Sequence, residues 1–472
     1  MRPAPLPESN MLSRRSILQG AAAAALGALS RPAAGEEIAP PTFRHRGYLG
    51  WITDLATRPE TGAAWPSTRL DDGLIEDYRR TFALMQRLGF NEISIWGLFV
   101  ARTWPVEVES AVTPEREKLI TTLLDTAHQH GIRVYSGLGV YSWGFDEIIQ
   151  AHPELSRGNP HAMCGSHPDA WPWMKRVVDV VLDRFPVDGV SLQSADQGRC
   201  SCPECSRFRD LEYHAVLDQR VADYIRSRRP QKIIGVSGWG MDFDDAESLP
   251  RLAQLSRAVD YILDVHDTNR KRGPGYRREL IRALACDFGT LGGPQVEPPQ
   301  HWARDRWFLP TVRRQSEHLV ALARDGGTAC EYFFHILANP ADAVSFAMAG
   351  RVLADPAGDW NKHLRRTVEE TFDVSKPATV DAIAELLLEC EDCYMKYLDP
   401  GRCGTISLEP LEGDRPGSPI YLTKALNERQ RRAYRADIRR IDKRFRSVGP
   451  RGNPAIARVR ACLRNVIADA AA

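Results

Sequence analysis

Charge of one sign is missing from this chain of 472 residues: 62 Lys and Arg stand against 61 Asp and Glu, leaving a formal charge of +1. A balance that even gives no electrostatic reason to bind nucleic acid. Long apolar runs are missing as well. No stretch approaches the ~18 consecutive residues that a membrane span requires. Short repeats are absent, and so are low-complexity tracts beyond the first 35 residues. What remains is 43% hydrophobic and 26% charged, an ordinary globular composition with ample length for a large core.

The N-terminus stands apart from that composition. Ser13-Arg14-Arg15-Ser16-Ile17-Leu18 precedes a weakly apolar, alanine-rich run from Gly20 to Leu29. The pattern resembles a twin-arginine export signal, with cleavage expected after Ser30 or Gly35. Losing residues 1–35 removes four Arg and one Glu and turns the charge of +1 into −2. The mature protein is therefore expected in the periplasm or outside the cell.

From Gly47 to about Trp360 short apolar runs alternate with segments of helical spacing. The runs are Tyr48 to Ile52, Glu92 to Leu98, Arg133 to Val140, Gly189 to Leu192, Lys232 to Val236, Tyr261 to Val265, Phe288 to Leu291 and Cys330 to Ile336. The seventh is the weakest, since Gly289, Gly292, Gly293 and Pro294 leave little strand. Leu74, Tyr78, Phe82, Met85 and Leu88 illustrate the helical spacing between runs. Eight such units in just over 300 residues predict a (β/α)8 barrel over 36–360 rather than an open doubly wound sheet. Residues 361–472 predict a C-terminal α-helical domain. Its Arg-rich run, Arg429 to Arg446, is interleaved with Asp437, Asp442, Ile438 and Ile441, and reads as a solvated helix face rather than a polyanion site.

Ligands of a parallel barrel bind where the strands end. The residues expected there are Trp51, Thr53, Asp54, Trp96, Tyr141, Trp143, Gln193, Ser194, Asp196, Ser237, Trp239, Asp264, His266, Asp267, Gln295, Glu297, Glu331 and His335. Aromatic rings and carboxylates recur among them. Indole faces cover the CH faces of sugars, and carboxylates grip hydroxyls and move protons, so the combination suits saccharide chemistry. Asp196 closes the most strand-like polar tip and is the candidate general acid. Asp264 and Glu297 compete for the second catalytic group, Asp264 on the strand face read as the barrel interior and Glu297 on a proline-stiffened loop. Glu331, early in the eighth strand, reads as a buried structural or substrate-orienting group. The binding set is completed by Trp51, Asp54, Trp96, Tyr141, Trp143, Gln193, Trp239, His266 and Asp267.

The stretch Gly189-Val-Ser-Leu-Gln-Ser-Ala-Asp196, within such a barrel, resembles the barrel glycoside hydrolases related to α-glucuronidases and β-hexosaminidases. That resemblance implies an acidic general acid at the end of strand four, matching Asp196. It also implies carboxylates after strands six and seven, where Asp264, Asp267 and Glu297 stand. The family acid is usually Glu, and the Asp-Glu pair of hexosaminidases reads Ala195-Asp196 here. No catalytic cofactor is implied. The alternative from another class is a glycan-binding barrel without catalysis.

Directly after the strand-four tip come Cys200, Cys202 and Cys205. With a fourth ligand from the loop after strand three, Cys164 or His167, they could surround a structural zinc ion. A disulfide between two of them is the other reading for an exported protein. Cys390 and Cys393, three apart on a predicted helix, share a face.

Overall fold

The computed structural model describes residues 42–52, 69–265, 268–291, 308–332, 339–397 and 426–469. The Arg14-Arg15 segment therefore lies outside the described residues. Eight parallel strands close into a barrel in chain order. They are β1 (His45–Trp51), β2 (Glu92–Trp96), β3 (Arg133–Gly139), β4 (Gly189–Gln193), β5 (Ile233–Ser237), β6 (Tyr261–Asp264), β7 (Asp287–Leu291) and β8 (Ala329–Tyr332). Each of the eight expected runs holds one of these strands, the seventh included, and residues 333–336 of the eighth run lie outside the described residues.

Helices cover the outside: α1 (Asp72–Leu88), α2 (Pro114–Gln129), α3 (Asp146–Ala151), α4 (Ala170–Arg184), α5 (Asp210–Arg228), α6 (Leu249–Leu255), α7 (Thr268–Arg272), α8 (Tyr276–Ala283), α9 (Val312–Asp325) and α10 (Pro340–Ala354). Local chemistry sets their starts. The Asp71 carboxylate accepts the Leu74 N–H at 2.9 Å, capping α1, whose Leu74, Tyr78, Phe82 and Met85 then face the strands.

Each strand is buried on both sides, as parallel barrels require. Leu49, Trp96, Tyr135, Tyr261, Leu263 and Leu291 belong to the inner cluster. Their neighbours Tyr48, Ile95, Val134, Ile262 and Phe288 pack beneath the helices in the outer core. Large inner rings need small partners on the next strand. A Cβ on Gly137 would lie 2.2 Å from the Trp96 ring, so only glycine fits there.

The floor of the barrel is ionic. Glu92 accepts from Arg133 at 2.7 Å and from the Tyr135 hydroxyl at 2.9 Å, and its carboxylate lies 3.2 Å from His45 Nδ1. His45 Nε2 faces Asp287 at 3.4 Å. Burial opposes charge on His45, but Asp287 and Glu92 outweigh it and hold its pKa up at about 9.

Helix α10 packs against β8, β1 and α1, completing the barrel wall. Beyond it α11 (Trp360–Phe372), α12 (Pro377–Tyr397), α13 (Glu428–Ser447) and α14 (Pro454–Asp469) pack in succession. Their apolar faces join the outer core rather than forming a separate one. Along α13, Tyr434, Ile438, Ile441 and Phe445 are buried, while Arg440 and Arg444 reach Glu389 on α12. Cys390 and Cys393 share the buried face of α12. Among the described residues, no helix is long and apolar enough to cross a membrane.

Candidate active site at the mouth of the barrel

At the carboxyl end of β4 the chain turns outward through Ser194, Ala195 and Asp196. Two anchors beneath it fix that turn. Ser194 Oγ donates to Asp218 Oδ2 at 3.1 Å, and His214 hydrogen-bonds the Ser194 backbone. Asp218 and His214 are one turn apart on α5 and both are buried. Burial pushes the Asp218 carboxyl up to about 8 and the His214 imidazole down to about 4, so it favours the neutral form of each. Sequence reasoning overlooked this pair, although two polar residues four apart among Leu211, Ala215, Val221 and Ile225 were the available signal.

Asp196 itself is reachable by solvent from one side. On the other side protein surrounds it closely enough that burial dominates and raises its pKa. The Trp239 indole and the Gln193 amide donate to the carboxylate and partly offset the rise. None of these influences is a positive charge. A carboxyl group kept protonated longer than usual, facing water and held by neutral donors, is equipped to give up a proton.

Trp239, which donates to Asp196, packs against an aromatic cluster at this end of the barrel. Trp96 and Trp143 meet edge to face, ring centres 5.1 Å apart, and both belong to the inner cluster, with Trp51 and Trp239 packed against it. Trp143 reaches this position through a strained backbone. Tyr141 and Trp143 have φ of 61° and 57°, a left-handed conformation that bulky residues rarely adopt. The same kink sends Tyr141 the other way, into the outer core, where its hydroxyl accepts from Arg220 at 3.1 Å. Tyr141 therefore does not line the mouth as the sequence led us to expect.

Asp264 also differs from expectation. It alternates with Leu263 and Val265, which lie on the inner side, and shares the parity of Ile262, which lies on the outer side. Its backbone position faces the helices, not the barrel interior, and it is 2% exposed. Glu331 is on the inner parity and equally buried, accepting from Ser94 Oγ at 2.7 Å. Burial raises its pKa to about 8. Asp54, His266, Asp267 and Glu297 lie outside the described residues.

Beside the mouth, the sulfurs of Cys164, Cys200, Cys202 and Cys205 all lie within 4.8 Å of one another, and all four residues are buried. The fourth member is Cys164 rather than His167. This four-cysteine cluster could hold a metal ion. The described cysteines are free thiols. Burial works against ionising Cys202, but the Ser166 hydroxyl and the Cys205 N–H bring its pKa down to about 7.

No family model and no curated protein matches the chain. Solved structures do. A GH138 enzyme targeting pectin rhamnogalacturonan II aligns over 91% of this chain and 57% of its own, with TM-score 0.55 and 12% identity. The chain thus spans little more than half the length of that enzyme. A mutant of the Thermobaculum terrenum O-GlcNAc hydrolase aligns over 86% of this chain and 78% of its own, with TM-score 0.50 and 14% identity. At such identities the likeness is one of fold, and the fold it identifies is the closed eight-stranded parallel barrel with its flanking helices.

Proposed function

We propose that the protein is an exported glycoside hydrolase acting on an oligo- or polysaccharide at the carboxyl end of its barrel. The observation that carries this reading is Asp196, a solvent-reachable carboxyl group with a raised pKa, set just past the end of β4 and hydrogen-bonded by Trp239. That the compared barrels belong to enzymes acting on glycans agrees with it.

In the proposed reaction Asp196 gives its proton to the glycosidic oxygen as the bond from that oxygen to the anomeric carbon breaks. A second carboxylate either takes a proton from the attacking water or attacks the anomeric carbon itself. Asp264 and Glu297 are the candidates for this group. Asp264 would have to reach the mouth around the end of β6, whereas Glu297 stands in the Gly293-to-Pro299 segment that follows β7. Trp51 and Trp239, partly buried, supply apolar faces for sugar rings, the buried Trp96 and Trp143 back them from within, and Gln193 helps hold the acid. The scheme uses no cofactor. A zinc ion on the four cysteines would be structural, because four sulfur ligands fill a tetrahedral sphere.

The test is turnover of a panel of aryl glycosides, glucuronides included, by the wild-type protein and by Asp196→Asn. A loss of about 10²- to 10⁴-fold in kcat/KM with the fold intact supports the acid role. Unchanged turnover removes Asp196 from it. Calorimetric binding of oligosaccharides with no turnover of any glycoside favours a binding protein instead.

A further inference from the structure

The residues that flank Asp196 are held from the side by the loop that follows β3. Gln197 is the meeting point. Its N–H donates to Ser142 Oγ at 3.2 Å, its side-chain oxygen accepts the Trp143 N–H at 3.0 Å, and its carbonyl accepts from Asn159 Nδ2 at 2.7 Å. Farther along, the Ser201 N–H and the Cys200 thiol both donate to the Arg157 carbonyl at 3.2 Å. Two loops thus run side by side. One carries Trp143 and ends at Cys164; the other carries Asp196 and ends at Cys200, Cys202 and Cys205.

The sulfur geometry at their junction fits a tetrahedral ion. Zinc–sulfur bonds of ~2.3 Å place tetrahedral sulfurs about 3.8 Å apart. Here Cys164 Sγ is 3.7 Å from that of Cys202 and 3.9 Å from that of Cys205. A disulfide would require a separation of about 2.05 Å. Donors already point at the sulfurs: the Cys202 N–H at Cys200 and the Cys205 N–H at Cys202, each at 3.4 Å. The Ser166 hydroxyl lies 3.1 Å from the Cys164 sulfur and 3.4 Å from those of Cys202 and Cys205. Hydrogen bonds of this kind stabilise thiolates, the form in which cysteine binds metal.

We propose that Cys164, Cys200, Cys202 and Cys205 bind one zinc ion that ties the two loops together, and that this tie positions Asp196 against Trp143. Binding displaces four thiol protons and leaves four thiolates on one Zn²⁺, a local charge of about −2. The ligand set comes three from one loop and one from the other, so losing the ion removes a cross-link between the loops and leaves them to their hydrogen bonds alone, while the strands beneath keep their ladders. The positioning half rests on the reading of Asp196 as the acid; the metal half stands without it.

The experiment begins with metal analysis of the full chain purified without chelator. One zinc per chain is expected, and zinc is expected to be lost in Cys164→Ser and Cys202→Ser. Metal at background level, or disulfides among these four residues in non-reducing peptide mapping, overturns the proposal. Hydrogen exchange before and after chelation reads the tie directly. Faster exchange in 141–164 and 194–205, with strands β6 to β8 unchanged and recovery on adding zinc, is the expected result. Because chelation starts from folded protein, it decides the matter even where a serine variant fails to fold. Zinc loss without any change in 194–199 overturns the positioning role. Aryl glycosides supply a last arm. Depleted protein should lose about 10- to 100-fold on poor leaving groups, which need the acid, and much less on good ones. Zinc and exchange as expected, with no glycoside turned over at all, would instead remove the hydrolase reading and leave the metal site standing.

Discussion

The two ends of the barrel treat their carboxylates in opposite ways. At the floor Glu92 is enclosed by Arg133, Tyr135 and His45, and each charge there has a counter-charge. At the mouth Asp196 faces water, has only neutral donors, and is pushed toward protonation. A compensated carboxylate contributes to stability; an uncompensated one is ready to exchange a proton. Under the proposed reading, the contrast divides stability at one end of the molecule from chemistry at the other, as expected for this architecture.

Five variants sharpen that contrast, beginning with the largest effect. Asp196→Asn should remove about 10²- to 10⁴-fold of the activity on aryl glycosides while leaving thermal stability essentially unchanged. Glu92→Gln should do the reverse. It takes the anion from Arg133 and leaves His45 with Asp287 alone, so denaturant unfolding should report a loss of about 1–3 kcal/mol, with glycoside turnover by the folded protein unaffected. If both changes struck activity and stability alike, the division between the two ends would be wrong.

Smaller effects come from groups that tune the mouth. Trp239→Phe removes a donor that lowers the Asp196 pKa, so the alkaline limb of the kcat/KM profile should move to higher pH. Glu331→Gln acts on stability through protons. The raised pKa of Glu331, about 8, means the folded state keeps a proton that the unfolded chain has lost above its ordinary carboxyl pKa. Stability should therefore fall as pH climbs from about 4.5 to about 8. His45 adds to that slope: its contribution is complete below about pH 6.5 and is lost as pH rises through about 9. Denaturation curves across this range should be flatter for Glu331→Gln. The smallest effect is expected at the surface, where Arg440→Ala with Arg444→Ala should cost within about 1 kcal/mol and leave glycoside turnover unchanged.

The barrel was legible because eight apolar runs separated by helical spacing leave few other solutions. Even the doubtful seventh strand obeys packing, for a Cβ on Gly289 would lie 1.7 Å from the Ala329 carbonyl oxygen. Its glycine marks close strand approach and not a break. That Trp51, Trp96, Trp143, Asp196 and Trp239 stand at or just past the ends of β1 to β5 was readable from the runs themselves. Direction was not. Strands buried on both faces carry no polar–apolar alternation, so nothing in the sequence told which way Asp264 points. Tyr141 and Trp143, two residues apart, part company through two left-handed backbone angles that composition does not encode. The Ser142–Gln197 and Ser194–Asp218 contacts join residues distant in sequence and emerge only when the loops lie side by side.

The most direct test of Asp196 as the acid is the pH dependence of kcat/KM for one aryl glycoside with a poor leaving group. In the wild type, activity should fall on the alkaline side as Asp196 ionises, and in Asp196→Asn that limb should vanish from a much lower plateau. An alkaline limb that persists unchanged in the variant would contradict the account.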